Sequence, residues 1–171
     1  MLVYFEETTM KKNSLLPGIL SIIAILAIGA ALLLPLGTGL IANIGTKAEP
    51  AAGYDFVLGN DALLLNDPHG GMIAWFVLLL IAAFFGLVGT ITGFFGGKVG
   101  AFFNFLAGGL ALISALLFFL SPIMVGDWWV GSIPEATVSL GWGYLSAGIA
   151  AAVAGVIDLF LGVKGLFAKK A

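Results

Sequence analysis

Phe94-Phe95-Gly96-Gly97-Lys98-Val99-Gly100-Ala101-Phe102-Phe103 reads almost as a mirror about a single lysine, with long uncharged stretches running away on both sides. No charged residue lies between His69 and Lys98, or between Lys98 and Asp127. About 20 helical residues cross the hydrocarbon of a bilayer, and an uncharged apolar run of roughly 18 or more is a candidate span. Two such runs joined by a very short turn make a transmembrane helical hairpin, with helices expected over about 72–97 and 99–123.

A third apolar segment precedes the hairpin. It starts at Leu15 and continues past Pro35 through Leu40-Ile41, which gives an expected helix over about 15–42 that Pro35 kinks or ends. The leading Lys11 and Lys12 resemble the start of a secretory signal. The apolar stretch exceeds the usual roughly 7–15 residues of a signal core, however, and no small-x-small cleavage site precedes a polar mature start. A retained helix is expected. A fourth helix is expected over about 138–163.

The fold class that follows is an all-α integral membrane protein: a four-transmembrane-helix bundle forming a single membrane domain over residues 15–167. Tails of 1–14 and 168–171 flank it, and outer loops of 44–71 and 124–137 form a small cap. Met1 to Thr9 is polar and unpatterned and reads as a loosely held tail. Met10-Lys11-Lys12 has the look of an amino terminus, and translation is expected to begin there; an intact mass starting at Met1 would refute this. In the first outer loop, Tyr54–Leu58 and Ala62–Leu65 flank Gly59-Asn60-Asp61, a pattern that predicts a short β-hairpin on the membrane surface. Ser121-Pro122 is expected to end the third helix.

Composition agrees with a membrane setting. Of 171 residues 61% are hydrophobic and only 9% charged, and the mean hydropathy is +1.15. A soluble domain needs about 25% charged residues to cover its surface. The net charge of −2 and the lack of a basic face exclude a nucleic-acid partner. Absence of cysteine removes disulfides, thiolate metal sites and cysteine nucleophiles together. All seven basic residues are lysine, so bidentate guanidinium clamps are excluded too.

Lysines set the expected orientation, since cytoplasmic flanks are enriched in basic residues. Lys11, Lys12, Lys98, Lys164, Lys169 and Lys170 share one side under four spans, with Lys47 alone opposite. Both termini are therefore expected in the cytoplasm, in the cytoplasmic (plasma) membrane of a prokaryote. Trp75, Trp128, Trp129 and Trp142 fall at the opposite, acidic side, where an interfacial aromatic belt belongs.

Small residues recur at helical spacing: Gly86, Gly89, Gly93 and Gly97 on the second helix, Gly143, Ala147, Ala151 and Gly155 on the fourth. Membrane helices associate by close packing, which small residues permit, so these stripes mark contact faces. Internal packing within one bundle outweighs contact with another subunit. Asp158 continues the fourth helix's stripe as the one ionisable residue within a span. It lies six residues before Lys164, hence about 9 Å deep at 1.5 Å per residue. Thr92 and Asn104 reach similar depth from Lys98. An intramembrane polar cluster of Thr92, Asn104 and Asp158 is expected, with Lys98 or Lys164 as counter-charge, serving as structural glue ahead of a proton or cation station.

Asp61, Asp67 and His69 offer oxygen and nitrogen donors for a divalent cation. Their spacing fits no EF-hand or zinc pattern, and a solvated acidic loop is the stronger reading. Catalysis finds no motif: one histidine, no HExxH pair, no phosphate loop, and serines scattered without a base. No enzyme activity and no cofactor are expected.

In layout the chain resembles tetraspan proteins of the claudin type: a long first outer loop, a short inner turn, a shorter second outer loop and inside termini. It lacks their tryptophan-rich outer-loop signature and cysteine pair, so no residue role carries over. The expected function is a small non-enzymatic membrane subunit that packs on other integral membrane proteins, or on itself, through Gly/Ala faces and presents its outer loops to a partner. The alternative is a homo-oligomeric channel or transporter component using Asp158 and Asn104.

Overall fold

In a computed structural model of the chain, residues 2–60, 68–94, 98–131 and 135–168 are described, with side chains from Leu16 onward except Phe94. The elements run α1 (Leu2–Leu33), a 3₁₀ turn (Leu34–Leu36), β1 (Thr38–Ile44), β2 (Lys47–Ala52), α2 (Asp55–Leu58), α3 (Gly70–Phe94), α4 (Lys98–Val130), β3 (Thr137–Leu140) and α5 (Trp142–Phe167). Four helices are long and apolar enough to cross a membrane, their spans being Leu16–Leu36, Gly70–Gly93, Lys98–Val130 and Trp142–Phe167. Each exposes large apolar side chains along its outer surface, among them Leu26, Phe84, Leu116 and Val156. Such a girdle is compatible with an integral membrane protein, since soluble monomers rarely expose large apolar patches.

The helices pack backbone to backbone. α4 and α5 share the most extensive interface. A methyl built on Gly108 would stand 2.5 Å from the Leu159 nitrogen, and one on Gly162 would stand 2.6 Å from the Phe105 nitrogen. Gly100 presses equally close on Gly93 of α3. Above these contacts a plug of Trp75, Phe118 and Tyr144 fills the axis, all fully buried, with Trp75 and Phe118 ring centroids 4.5 Å apart.

Five expectations need correction. Leu2 to Thr9 is helical, part of α1. The apolar run after Pro35 leaves the helix, because Pro35 falls in a terminal 3₁₀ turn and residues 38–44 form a strand with Leu40 and Ala42 buried. The hairpin therefore lies earlier than expected: β1 and β2 pair antiparallel, Ile44 opposite Lys47, about a Gly45-Thr46 turn. Gly45 has φ +59°, the positive value that a first turn residue of a two-residue hairpin requires. Residues 55–58 are helical instead, and the second expected strand, 62–65, lies outside the described residues. Strand β3, from the connection between α4 and α5, joins β1 antiparallel, which removes 138–140 from the fourth helix and gives a sheet of order β2-β1-β3.

α4 does not stop at Pro122 but runs on to Val130. Proline cannot donate to the carbonyl four residues back, here that of Phe118. The Ser121 hydroxyl donates to that same Phe118 oxygen at 2.6 Å and takes the missing bond's place.

The sheet is tied down at several points. Tyr144 Oη donates to the Gly53 carbonyl at 2.6 Å, and Gly141 N donates to the Gly39 carbonyl at 2.8 Å. Tyr54 Oη donates to the Leu32 carbonyl at 2.5 Å, satisfying one of the acceptors that the end of α1 leaves free.

Candidate functional site

The polar residues expected as one cluster divide. Thr92 bonds within its own helix, Oγ1 donating to the Val88 carbonyl at 2.6 Å, because a threonine hydroxyl reaches the carbonyl one turn back more readily than a neighbouring helix. Asn104, on α4, lies against Gly89 of α3, where any side chain at 89 would overlap its carbonyl. Asp158, on α5, is 1% exposed and faces Gly86, whose hypothetical methyl would stand 3.8 Å from Oδ2, with Ile25 and Ile28 of α1 alongside.

Asp158 has no hydrogen-bond partner on either oxygen, and Asn104 Oδ1 has none. The expected lysine counter-charge does not reach it: Lys98 and Lys164 are exposed, and Lys164 Nζ lies 5.9 Å from the Phe160 ring centroid. Asp158 therefore supplies no structural bond among the described residues.

A different pair, absent from the sequence reading, links α1 to α3: Ser21 Oγ and Thr90 Oγ1 are 2.5 Å apart. Each is the lone hydroxyl on an otherwise apolar helix face, Ser21 among Pro17, Gly18, Ala24 and Ile25 and Thr90 among Gly86, Leu87, Gly93 and Phe94. That isolation was the signal available in the sequence. Ser21, Thr90 and Asn104 line a cavity of about 430 Å³ between all four long helices, at the lysine-bearing end. Toward the other end Ala82, Ala111, Ala154 and the aromatic plug are all fully buried.

Comparison with protein-family models, with curated proteins and with solved structures finds no match.

The glycine and alanine stripes are largely consumed inside the chain. Gly86, Gly89 and Gly155 meet neighbouring helices, Gly143 meets the Leu34 and Thr38 carbonyls, and Ala147 and Ala151 are fully buried. Gly93 borders the cavity, and Gly97 lies outside the described residues. Of the tryptophans expected in a belt, Trp128 and Trp142 are exposed and Trp129 is half-buried, but Trp75 is a core residue. It begins the second turn of α3 and points inward to Phe118 and Tyr144, so axial rotation and not depth decides its surroundings.

Asp61 and Asp67 lie outside the described residues. His69 packs its ring on Trp128 at 5.2 Å between centroids, and burial lowers its pKa from the ordinary 6.5. No cluster of metal-ligating side chains occurs among the described residues.

Proposed function

We propose that the chain is a small, non-enzymatic integral membrane subunit that works through an ordered sheet at the end of its helical bundle. The observation that carries this reading is the pairing of β3 with β1, Ala42 opposite Val138, which draws both outer loops into one sheet. Loops that only connect helices have no need of shared strands, nor of the Tyr144 and Tyr54 bonds that seat the sheet on the bundle. Because the small-residue faces are spent internally, the surface left for a partner is the sheet, with Lys47, Ala48, Glu49 and Pro50 of edge strand β2 exposed. Charge and proline on an edge strand discourage indiscriminate strand addition, as expected of a surface with a chosen partner. In this reading the sheet lies outside and both termini in the cytoplasm of a prokaryotic cell, an orientation that the lysine distribution supports.

Cross-linking tests the proposal directly. The natural chain has no cysteine, so Ala48→Cys provides a unique attachment point. A cross-linker in native membranes should yield one discrete adduct with another integral membrane protein or a second copy. Adducts distributed over many proteins in proportion to abundance would count against it.

A second reading, a channel or transporter component, is favoured by one observation: an unpaired Asp158 buried where α5 meets α3 and α1. It predicts solute or proton flux in proteoliposomes that Asp158→Asn abolishes while leaving assembly intact.

A further inference from the structure

Strand β2 is an edge of the sheet, because β1 lies between it and β3. Lys47, Ala48, Glu49 and Pro50 are exposed in succession, and the exposure ends at Ala51, which is buried.

The hairpin determines which backbone groups this edge offers. A two-residue turn closes on a hydrogen-bonded pair, here Ile44 and Lys47. Along an antiparallel ladder such pairs alternate with pairs that do not bond each other. Lys47 and Glu49 therefore spend their N–H and C=O groups on β1, opposite Ile44 and Ala42. Ala48, opposite Asn43, turns both of its groups outward. Pro50, opposite Ile41, also faces outward but has no N–H to give.

Unspent donors and acceptors along an edge are a template for another strand. A second copy brings the same edge, and two identical edges join antiparallel about a two-fold axis, each contact occurring twice. That axis passes through one residue of β2, and the side chains decide which. Centred on Lys47 or on Glu49, like charges stand directly opposite, which destabilises. Centred on Pro50, the central pair has no donor. Thr46 belongs to the turn, and Ala51 is buried. Centred on Ala48, the two alanines exchange both backbone bonds, and Lys47 of each copy stands opposite Glu49 of the other. The paired length, 46 to 50, stops short of buried Ala51.

We infer that the partner of this edge is a second copy of the chain, joined β2 to β2 about Ala48, an inference that rests on the sheet being the working surface as proposed above. Exposed ion pairs contribute little affinity, so the two Lys47–Glu49 contacts serve to choose the register. The same charges turn away strands that do not match them. Two copies in one bilayer are already confined and share an orientation, which lowers the freedom that association costs.

Disulfide mapping of the full chain in native membranes tests the register, since the natural chain has no cysteine and the positions used are exposed. Lys47→Cys and Glu49→Cys, each expressed alone, should give no disulfide-linked dimer, because neither residue faces its own twin. Expressed together they should give a mixed dimer, with one Lys47–Glu49 contact still in place. In a second experiment Ala48→Cys and a short thiol-to-thiol linker report the pairing. Lys47→Glu or Glu49→Lys should each abolish the linked dimer, and the two combined should restore it. Dimers from Lys47→Cys alone, no mixed dimer, or no restoration in the double reversal would overturn the inference. Ala48→Cys adducts confined to one other membrane polypeptide would overturn it while leaving the sheet as the working surface. Adducts scattered over many proteins would overturn both.

Discussion

Gly86 and Asp158 stand face to face across α3 and α5, so close that a methyl added at 86 would reach ordinary contact, 3.8 Å, with the carboxyl. The carboxyl has neighbours there but no bond. Asp158→Asn should therefore leave thermal stability in detergent unchanged or slightly raised, because it keeps the shape and removes an acid from an apolar site. Loss of about 3 kcal/mol or more, the cost of breaking a buried pair, would show that the carboxylate has a partner.

Adjacent glycines on α4 give a sharper test of packing. At Gly108 an added methyl meets the α5 backbone, whereas at Gly109 it meets nothing. Gly108→Ala should cost about 1–3 kcal/mol by overpacking. Gly109→Ala should be neutral or stabilising by up to about 1 kcal/mol, as helical glycine is replaced by a better helix former. Thermal unfolding of the two variants in one detergent reads the difference.

Passage of α4 through Pro122 depends on the Ser121 hydroxyl. Ser121→Ala should destabilise by about 1–3 kcal/mol, since it strands the buried Phe118 carbonyl. In the Pro122→Ala background the restored N–H meets that carbonyl, and the same serine change should cost little. A double-mutant cycle measures the coupling, and additive losses would contradict it.

Trp75→Ala should cost about 3–5 kcal/mol, the scale for truncating a core aromatic. Trp142→Ala, which removes an exposed ring, should cost much less. Chemical denaturation of the purified protein distinguishes them.

Burial against Trp128 lowers the His69 pKa, so the folded state favours neutral imidazole and the unfolded chain binds the proton more tightly. Stability gained from this is complete above the unfolded pKa of about 6.5 and is lost as pH falls through the folded value. His69→Gln should flatten the dependence of unfolding temperature on pH below 6.5. An unchanged slope would assign the acid sensitivity to other groups.

The spans were legible because hydrocarbon length and charge exclusion act on composition, which a sequence displays directly. The sheet was legible only in part. Leu36 to Ile41 is apolar whether it continues α1 or turns into β1, and the choice rests on Pro35 and on a Gly45-Thr46 turn followed by Lys47. β3 is invisible without its partner: four residues with half-buried alternation become a strand only beside β1. At the polar site, depth could be counted from the lysines, and Asn104 and Asp158 are indeed buried, but facing directions could not. Thr92 turned to its own helix, while Ser21 and Thr90 met across two helices separated by 69 positions in the chain.

The most direct test of the proposed role is the native mass and composition of the protein extracted in mild detergent, for the natural chain and for a variant carrying Ala48→Arg and Ser139→Arg on the exposed strands. A stoichiometric assembly with another membrane polypeptide or a second copy, lost in the folded variant, is the predicted result. A monomer from native membranes, or an assembly indifferent to both arginines, would contradict the proposal that the sheet is the working surface.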